Sequence, residues 1–192
     1  MKTFVAISLM LSFLNMNAQE KSDEIIPYSE IPDYPEYFTA GTVAARMIDG
    51  LGFRYYWATN CLRDEDLAYK PSPDGRTTAE TIDHIYNLSQ VILNSTLNKP
   101  NIQNTIEVEL SFAEKRKLTL TNFKTAADIL RTSDDISKYK LVFGTNEFPF
   151  WNNLNGPIED AVWHCGQVVL LRRASGNPYN SKANVFTGKV KE

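Results

Sequence analysis

The chain contains only two histidines, His84 and His164, and an aspartate, Asp160, stands four residues before the second. Residues four apart in a helix project from the same face, so Asp160 and His164 can be aimed at one spot. Two imidazoles and one carboxylate form a familiar ligand set for a divalent ion, and they leave coordination positions for water or substrate. His84 therefore has to reach that spot from another element. Glu80, four residues before His84, is a further candidate oxygen donor, although a role in starting its helix accounts for it more simply. Asp83 and Glu159 are candidates only for orienting a ligand histidine from behind. A plainer account of the same residues also stands. A histidine on an apolar face is usually a packing residue, and an aspartate in the first turn of a helix is favoured by the helix dipole alone.

The elements that must position these side chains are helices. Ala44, Ile48, Leu51, Tyr55, Ala58 and Leu62 recur at spacings of three and four, which predicts a first helix over 41–62. Gly50 and Gly52 inside it suggest close approach of a neighbour. Pro71-Ser72-Pro73-Asp74-Gly75 is a turn. Thr77 with Glu80 is a capping box, and it starts a second helix that carries Ile82, Ile85, Leu88 and Ile92 and ends near Leu97. Residues 98–118 are ambiguous between strand and helix. A third helix is expected over 122–138, capped by Thr121. Residues 140–152, around Gly144-Thr145-Asn146, read as a hairpin-like excursion. Gly156 followed by Pro157 opens the fourth helix, and Gly176-Asn177-Pro178 closes it. His84 and His164 lie at similar depths from the starts of their helices, so they meet in the core if the second and fourth helices run parallel. The tail over 179–192 reads as loose.

The ends and the bulk composition limit the function classes. Lys2, an apolar run from Phe4 to Leu14 and Ala18 have the form of a secretory signal peptide over 1–18, too short to span a bilayer. Residues 19–38, with Pro27, Pro32, Pro35, Tyr28, Tyr34 and Tyr37, form an extended arm, because proline at this density prevents a helix. The remaining domain, 39–178, is long enough for one core: the chain has 192 residues, 43% of them hydrophobic. A net charge of -3 with no basic cluster argues against nucleic acid as a partner. No run is long enough for an integral membrane span. Cys61 and Cys165 are too few for a disulfide scaffold, though export would permit a bond between them. Tyr55, Trp57, Trp151 and Trp163 are candidates for lining a pocket, or plain core. Four apolar-faced helices with a long connection between the second and third predict an all-α fold, a four-helix bundle with a crossover.

The stretch Ile158-Glu159-Asp160-Ala161-Val162-Trp163-His164-Cys165-Gly166-Gln167, with Arg172-Arg173 and Gly176-Asn177-Pro178 after it, resembles the last helix of the DinB-like superfamily. That helix carries a histidine pair four apart, the second followed by any residue, Gly and Gln, then an arginine and a Gly-x-Pro ending. Thr77 to Leu88, with His84 after the capped start, is similar to the family's second helix and its first ligand, and the loop from Leu67 to Arg76 also fits. The departure is Asp160, which stands where the family often has the first histidine of the pair. The resemblance implies a metal-binding four-helix bundle with His84, Asp160 and His164 as ligands. It implies zinc or nickel, while an oxygen donor at 160 also admits manganese or iron. Some members of that superfamily are transferases or isomerases that act with low-molecular-weight thiols; with coordination positions left over by the three ligands, the expectation is a metal-dependent transferase or hydrolase acting on a small-molecule substrate. A non-catalytic binding bundle, with a structural or lost metal, is the competing expectation. Pairing of two copies through an apolar helix face, a homodimer, is a further expectation.

Overall fold

The computed structural model describes residues 26–102 and 109–191, and these fold as a mostly helical protein. Four long helices carry it: α1 (Ala40–Thr59), α3 (Thr78–Thr96), α4 (Phe112–Arg131) and α6 (Glu159–Ala174). A one-turn helix α2 (Asp64–Ala68) and a short α5 (Trp151–Asn153) fill connections. A hairpin of β1 (Lys140–Phe143) and β2 (Asn146–Pro149) precedes α5. A second hairpin, β3 (Ala183–Asn184) and β4 (Lys189–Val190), lies in the tail. None of the described helices is long and apolar enough to cross a membrane.

Each of α1 and α3 packs against both α4 and α6. The interior is apolar and closed: Ile48, Leu51, Tyr55, Ile85, Ile92, Leu120, Phe123, Leu130 and Val168 are all fully buried. Each such side chain contributes about 1.5–3 kcal/mol relative to exposure.

Side-chain pairs fix the direction of every helix. Lys115 Nζ donates to Asp83 Oδ1 at 2.6 Å and Asn122 Nδ2 to Ser89 Oγ at 3.0 Å, so α4 advances in step with α3 and the two are parallel. Arg116 at the start of α4 bonds Thr59 Oγ1 at the end of α1, and Arg131 at its end bonds Asp49, so α4 is antiparallel to α1. Arg172 near the end of α6 bonds the carbonyls of Trp57, Ala58 and Asn60, so α6 runs with α1. Thus α3 and α4 point one way and α1 and α6 the other. Two consecutive parallel helices need a connection that travels back the length of a helix, and the stretch between Thr96 and Phe112 makes it.

The third long helix differs from the sequence expectation. It starts ten residues earlier than 122, with Ser111 rather than Thr121 as its cap: Ser111 Oγ accepts from Glu114 N, and Glu114 Oε2 accepts from Ser111 N. It ends at Arg131 rather than 138. The Ser-x-x-Glu signature was masked by the polar face that follows it, where Glu114, Lys115, Arg116 and Lys117 hide the apolar stripe. Residues 112–118 are therefore helical. The first helix stops at Thr59, short of Leu62, because Cys61 takes a positive φ of 55°. The 140–152 hairpin is as expected, with Gly144 at φ 58° in its turn and Asn101 N donating to Val142 O at 2.8 Å.

The tail is not loose, and the arm is docked as well. Ile31 N donates to Gly188 O, and Ile31, Phe53 and Ala183 form a small second core with Trp57 and Tyr179 against it. Tyr28 lies over Gly52, where a Cβ would come within 2.4 Å of its ring; this is the neighbour the glycine admits. The Tyr28 hydroxyl donates to the fully buried Asp49, whose two carboxylate oxygens also share one Arg131 nitrogen, Nη2. Burial, then the adjacent carboxylate, push the Tyr28 hydroxyl well above the ordinary phenol range. The proposed signal peptide, 1–18, lies outside the described residues.

At the end where α1 and α6 stop, Asp66 is buried and takes Arg63, Ser175 and Asn177 at 2.6–3.0 Å. These bonds, Arg63's foremost, hold its carboxyl well below the usual carboxylate range. A depressed folded value stabilises the protein fully above the unfolded carboxyl value of about 4, and that contribution is lost as pH falls below it. Urea midpoints measured from neutral to acid pH should fall in that window, and Asp66→Asn should flatten the fall. Arg172→Ala strips three main-chain carbonyls and Asn177 of their donor, and should cost about 3 kcal/mol in the same measurement at neutral pH.

Candidate metal centre

His84 is placed by the start of α3. The Thr77–Glu80 capping box fixes the first turn, with Glu80 Oε2 accepting from Thr77 N at 2.7 Å, and His84 follows one and a half turns later. That bond also takes Glu80 out of the candidate ligands, since its carboxylate is held at the cap. Asp83 is engaged by Lys115, and Glu159 is exposed, so neither orients a histidine.

Asp160 and His164 are placed by a break in the chain. Between α5 and α6, Leu154–Ile158 forms a π-helical turn, and Gly156 leaves helical geometry there at φ -102°, ψ -106°. Pro157 has no N–H to donate and its ring would clash with the preceding turn, so a widened turn accommodates it. The sequence places the helix start at this same Gly-Pro step. The structure adds that a short helical segment, α5, leads into it. Regular α-helix resumes at Glu159, and the first turn holds Asp160.

The three predicted residues come together. His84 Nε2 lies 3.0 Å from Asp160 Oδ2. His164 Nδ1 lies 3.1 Å from Asp160 Oδ1 and 2.9 Å from the Asp160 main-chain oxygen. The imidazole rings stand 4.5 Å apart between centroids at 62°. One donor atom from each residue falls in a group whose members lie within 4.8 Å of one another. The meeting does not need the parallel helices that similar depth suggested. Since α3 and α6 are antiparallel, the rings meet because His84 is six residues from the start of α3 and His164 is ten from the end of α6. Those distances from the shared end of the molecule are about 9 and 15 Å along the axes, near enough for side chains to bridge.

These atoms fit a divalent ion by their chemistry and spacing. Donors about 2.1 Å from a metal sit about 3–3.4 Å from each other; each imidazole lies at that separation from a different Asp160 oxygen, and the three residues' donor atoms lie within 4.8 Å of one another. Asp160 keeps 40% and His84 34% of its side-chain surface open, while His164 keeps 13%. The set is thus anchored on His164 and opens to solvent across the other two, which leaves room for further ligands. The Asp160 carbonyl against His164 Nδ1 is a contact that spacing could have suggested, since it is the helix's own oxygen four residues back; it shares that nitrogen with the Asp160 carboxylate and leaves Nε2 without an Asp160 contact.

The remaining candidates fall elsewhere. Cys61 is exposed and Cys165 buried, and both are free thiols, so the possible disulfide is not formed. Cys165 faces the core and burial pushes its thiol up to about 12. Arg172 serves the end of α1 rather than the metal candidates. Tyr55 is core, whereas Trp151 and Trp163 are largely exposed. In comparisons with known proteins, no family model, no curated protein and no solved structure matches this chain.

A thiol reagent at neutral pH should therefore modify Cys61 in the native protein and spare Cys165, with the second thiol appearing only on denaturation. Mass spectrometry before and after unfolding reads this directly.

Proposed function

We propose that this protein is an exported four-helix bundle of the DinB-like type that binds one divalent metal ion through His84, Asp160 and His164. In this reading it acts as a metal-dependent enzyme of the transferase or hydrolase kind on a small molecule. The observation that carries the reading is the single carboxylate of Asp160 set between two imidazoles, 3.0 Å from one and 3.1 Å from the other, on facing helices. The helix directions support it too, since a long crossover between parallel α3 and α4 is what a bundle of this connectivity requires. Zinc or nickel suits two imidazoles, and the carboxylate extends the range to manganese and iron.

A bound ion supplies Lewis-acid polarisation and lowers the pKa of a coordinated water or thiol, giving a nucleophile at neutral pH. The chain's own residues do the rest. His164 Nδ1 faces both the Asp160 carbonyl and the Asp160 carboxylate, so its ring is already turned toward Asp160, and an ion bound through Nδ1 would have to displace its proton and those contacts, whereas one bound through Nε2 would leave them in place. His84 and Asp160, the more exposed pair, face the solvent from which a substrate approaches.

A second reading is a non-catalytic binding bundle. What favours it is that Asp160 can satisfy both imidazoles by hydrogen bonds alone, and that it replaces a histidine of the family pattern.

Elemental analysis of tag-free protein, loaded in turn with zinc, nickel, manganese and iron and then dialysed, separates the two. The metal reading expects near-stoichiometric metal in the wild type, lost in Asp160→Ala and His164→Ala with helical content retained. A wild type that holds none of the four metals, or variants that hold as much as the wild type, would overturn it and leave the binding bundle.

A further inference from the structure

We propose that the outer face of α6 is a twofold contact between two copies of this chain, with the two α6 helices crossing antiparallel at Gly166. The argument begins with the pattern of the helix. Its inner side buries Ala161, Cys165, Val168 and Arg172. Its outer side exposes Glu159, Trp163, Gly166, Leu170 and Arg173, which fall on one stripe at spacings of three and four. Trp163 keeps 73% of its surface and Leu170 64%, more than any large apolar residue on α1, α3 or α4. A helix that is apolar on both sides is a helix with two partners, and only one side has a partner within the chain.

Gly166 sits at the centre of that stripe. A Cβ there would touch nothing within 4 Å and its φ is not positive, so neither packing within the chain nor backbone geometry requires glycine. Inside a helix glycine costs about 1 kcal/mol against alanine. A second helix approaching closely at this point supplies the missing reason.

The charges at the two ends identify the occupant. Glu159 is seven residues before Gly166 and Arg173 seven after it, about 10.5 Å along the axis in each direction. Among the described residues neither has an ion-pair partner. Turning the helix over about a twofold axis through Gly166 brings each Glu159 opposite the Arg173 of the other copy, and each Trp163 opposite the other's Leu170. A self-complementary stripe of this kind is what a twofold contact demands, with an aromatic anchor near the centre and charges at the rim. The stripe's centre is about 100° around the helix from Asp160 and about 140° from His164, so the second copy would stand to the side of Asp160 and away from His164. The contact itself does not depend on a metal.

Sedimentation velocity on the tag-free protein, with and without chelator, tests the proposal, and far-UV circular dichroism of each variant verifies that it is folded. The wild type is expected to be a dimer in both conditions. Glu159→Arg or Arg173→Glu alone sets like charges opposite each other and should raise the dimer dissociation constant about tenfold or more. The double variant E159R/R173E should recover the dimer, and Leu170→Glu should leave a folded monomer. A wild type that stays monomeric, single charge reversals that leave the dimer intact, or a double variant that fails to restore it would each overturn the antiparallel contact. Loss of metal binding with the dimer intact would instead refute only the metal reading.

Discussion

One buried guanidinium sets the geometry on which the rest depends. Arg172 lies almost wholly inside, and its nitrogens reach the carbonyls of Trp57, Ala58 and Asn60, then the main chain and side chain of Asn177. The last carbonyls of a helix have no partner of their own, so α1 cannot end inside the protein without such a donor. The same bonds lock the sliding position of α6 on α1. Because α1 is clamped to α4 by Arg116 and Arg131, and α4 to α3 by Lys115 and Asn122, the position of α6 against α3 follows. Asp160 and His164 lie twelve and eight residues back from Arg172, on a neighbouring face. Their meeting with His84 is thus fixed from the far end of the helix. A slip of α6 by one residue would rotate both away from α3 by about 100°.

Much of the candidate site was legible in the sequence because each part rests on local chemistry. The Thr77–Glu80 box places the start of α3, the i, i+4 spacing puts Asp160 with His164, and the scarcity of histidine leaves one partner for them. What could not be read was tertiary. Helix direction is invisible in periodicity, so similar depth suggested a parallel pair where the real pair is antiparallel. The start of α4 was missed although Ser111 and Glu114 are a capping box of the same type as Thr77 and Glu80. Its fully buried positions, from Thr119, Leu120 and Phe123 onward, begin two turns into the helix, and a long charged lead-in reads as loop. The ordered tail was missed for a related reason. Ala183 and Gly188 have no pattern of their own, and they are held only because Ile31 of the arm is there to pack against.

The arm shows how a proline-rich segment acquires structure without forming any. Tyr28 sits at φ 75°, a conformation that costs energy for a residue with a side chain. Its hydroxyl on Asp49 and its ring on Gly52 hold it there. Asp49 in turn is a charge without solvent, tolerable because Arg131 reaches it with both oxygens bonded. The arm, α1 and α4 in this way share one buried carboxylate. The arm from Ile26 and the tail hairpin then close over the outer side of α1, while His84 and Asp160, where α3 meets α6, stay part-exposed.

On that open side the choice of aspartate at 160 has a geometric consequence. A carboxylate presents two oxygens separated by their common carbon, and here each faces a different imidazole. A histidine at the same place would offer one accepting nitrogen in the ring plane and could not face both partners at once. The aspartate therefore organises the two histidines directly, as well as adding a negative charge to a set of otherwise neutral donors. An arriving cation would meet imidazoles already gathered around one anion and held at ligand spacing. The same bridge makes the arrangement stable with no ion present, because both carboxylate oxygens accept hydrogen bonds. Preorganisation and competition are the same contacts: what aligns the donors is also what a metal has to displace.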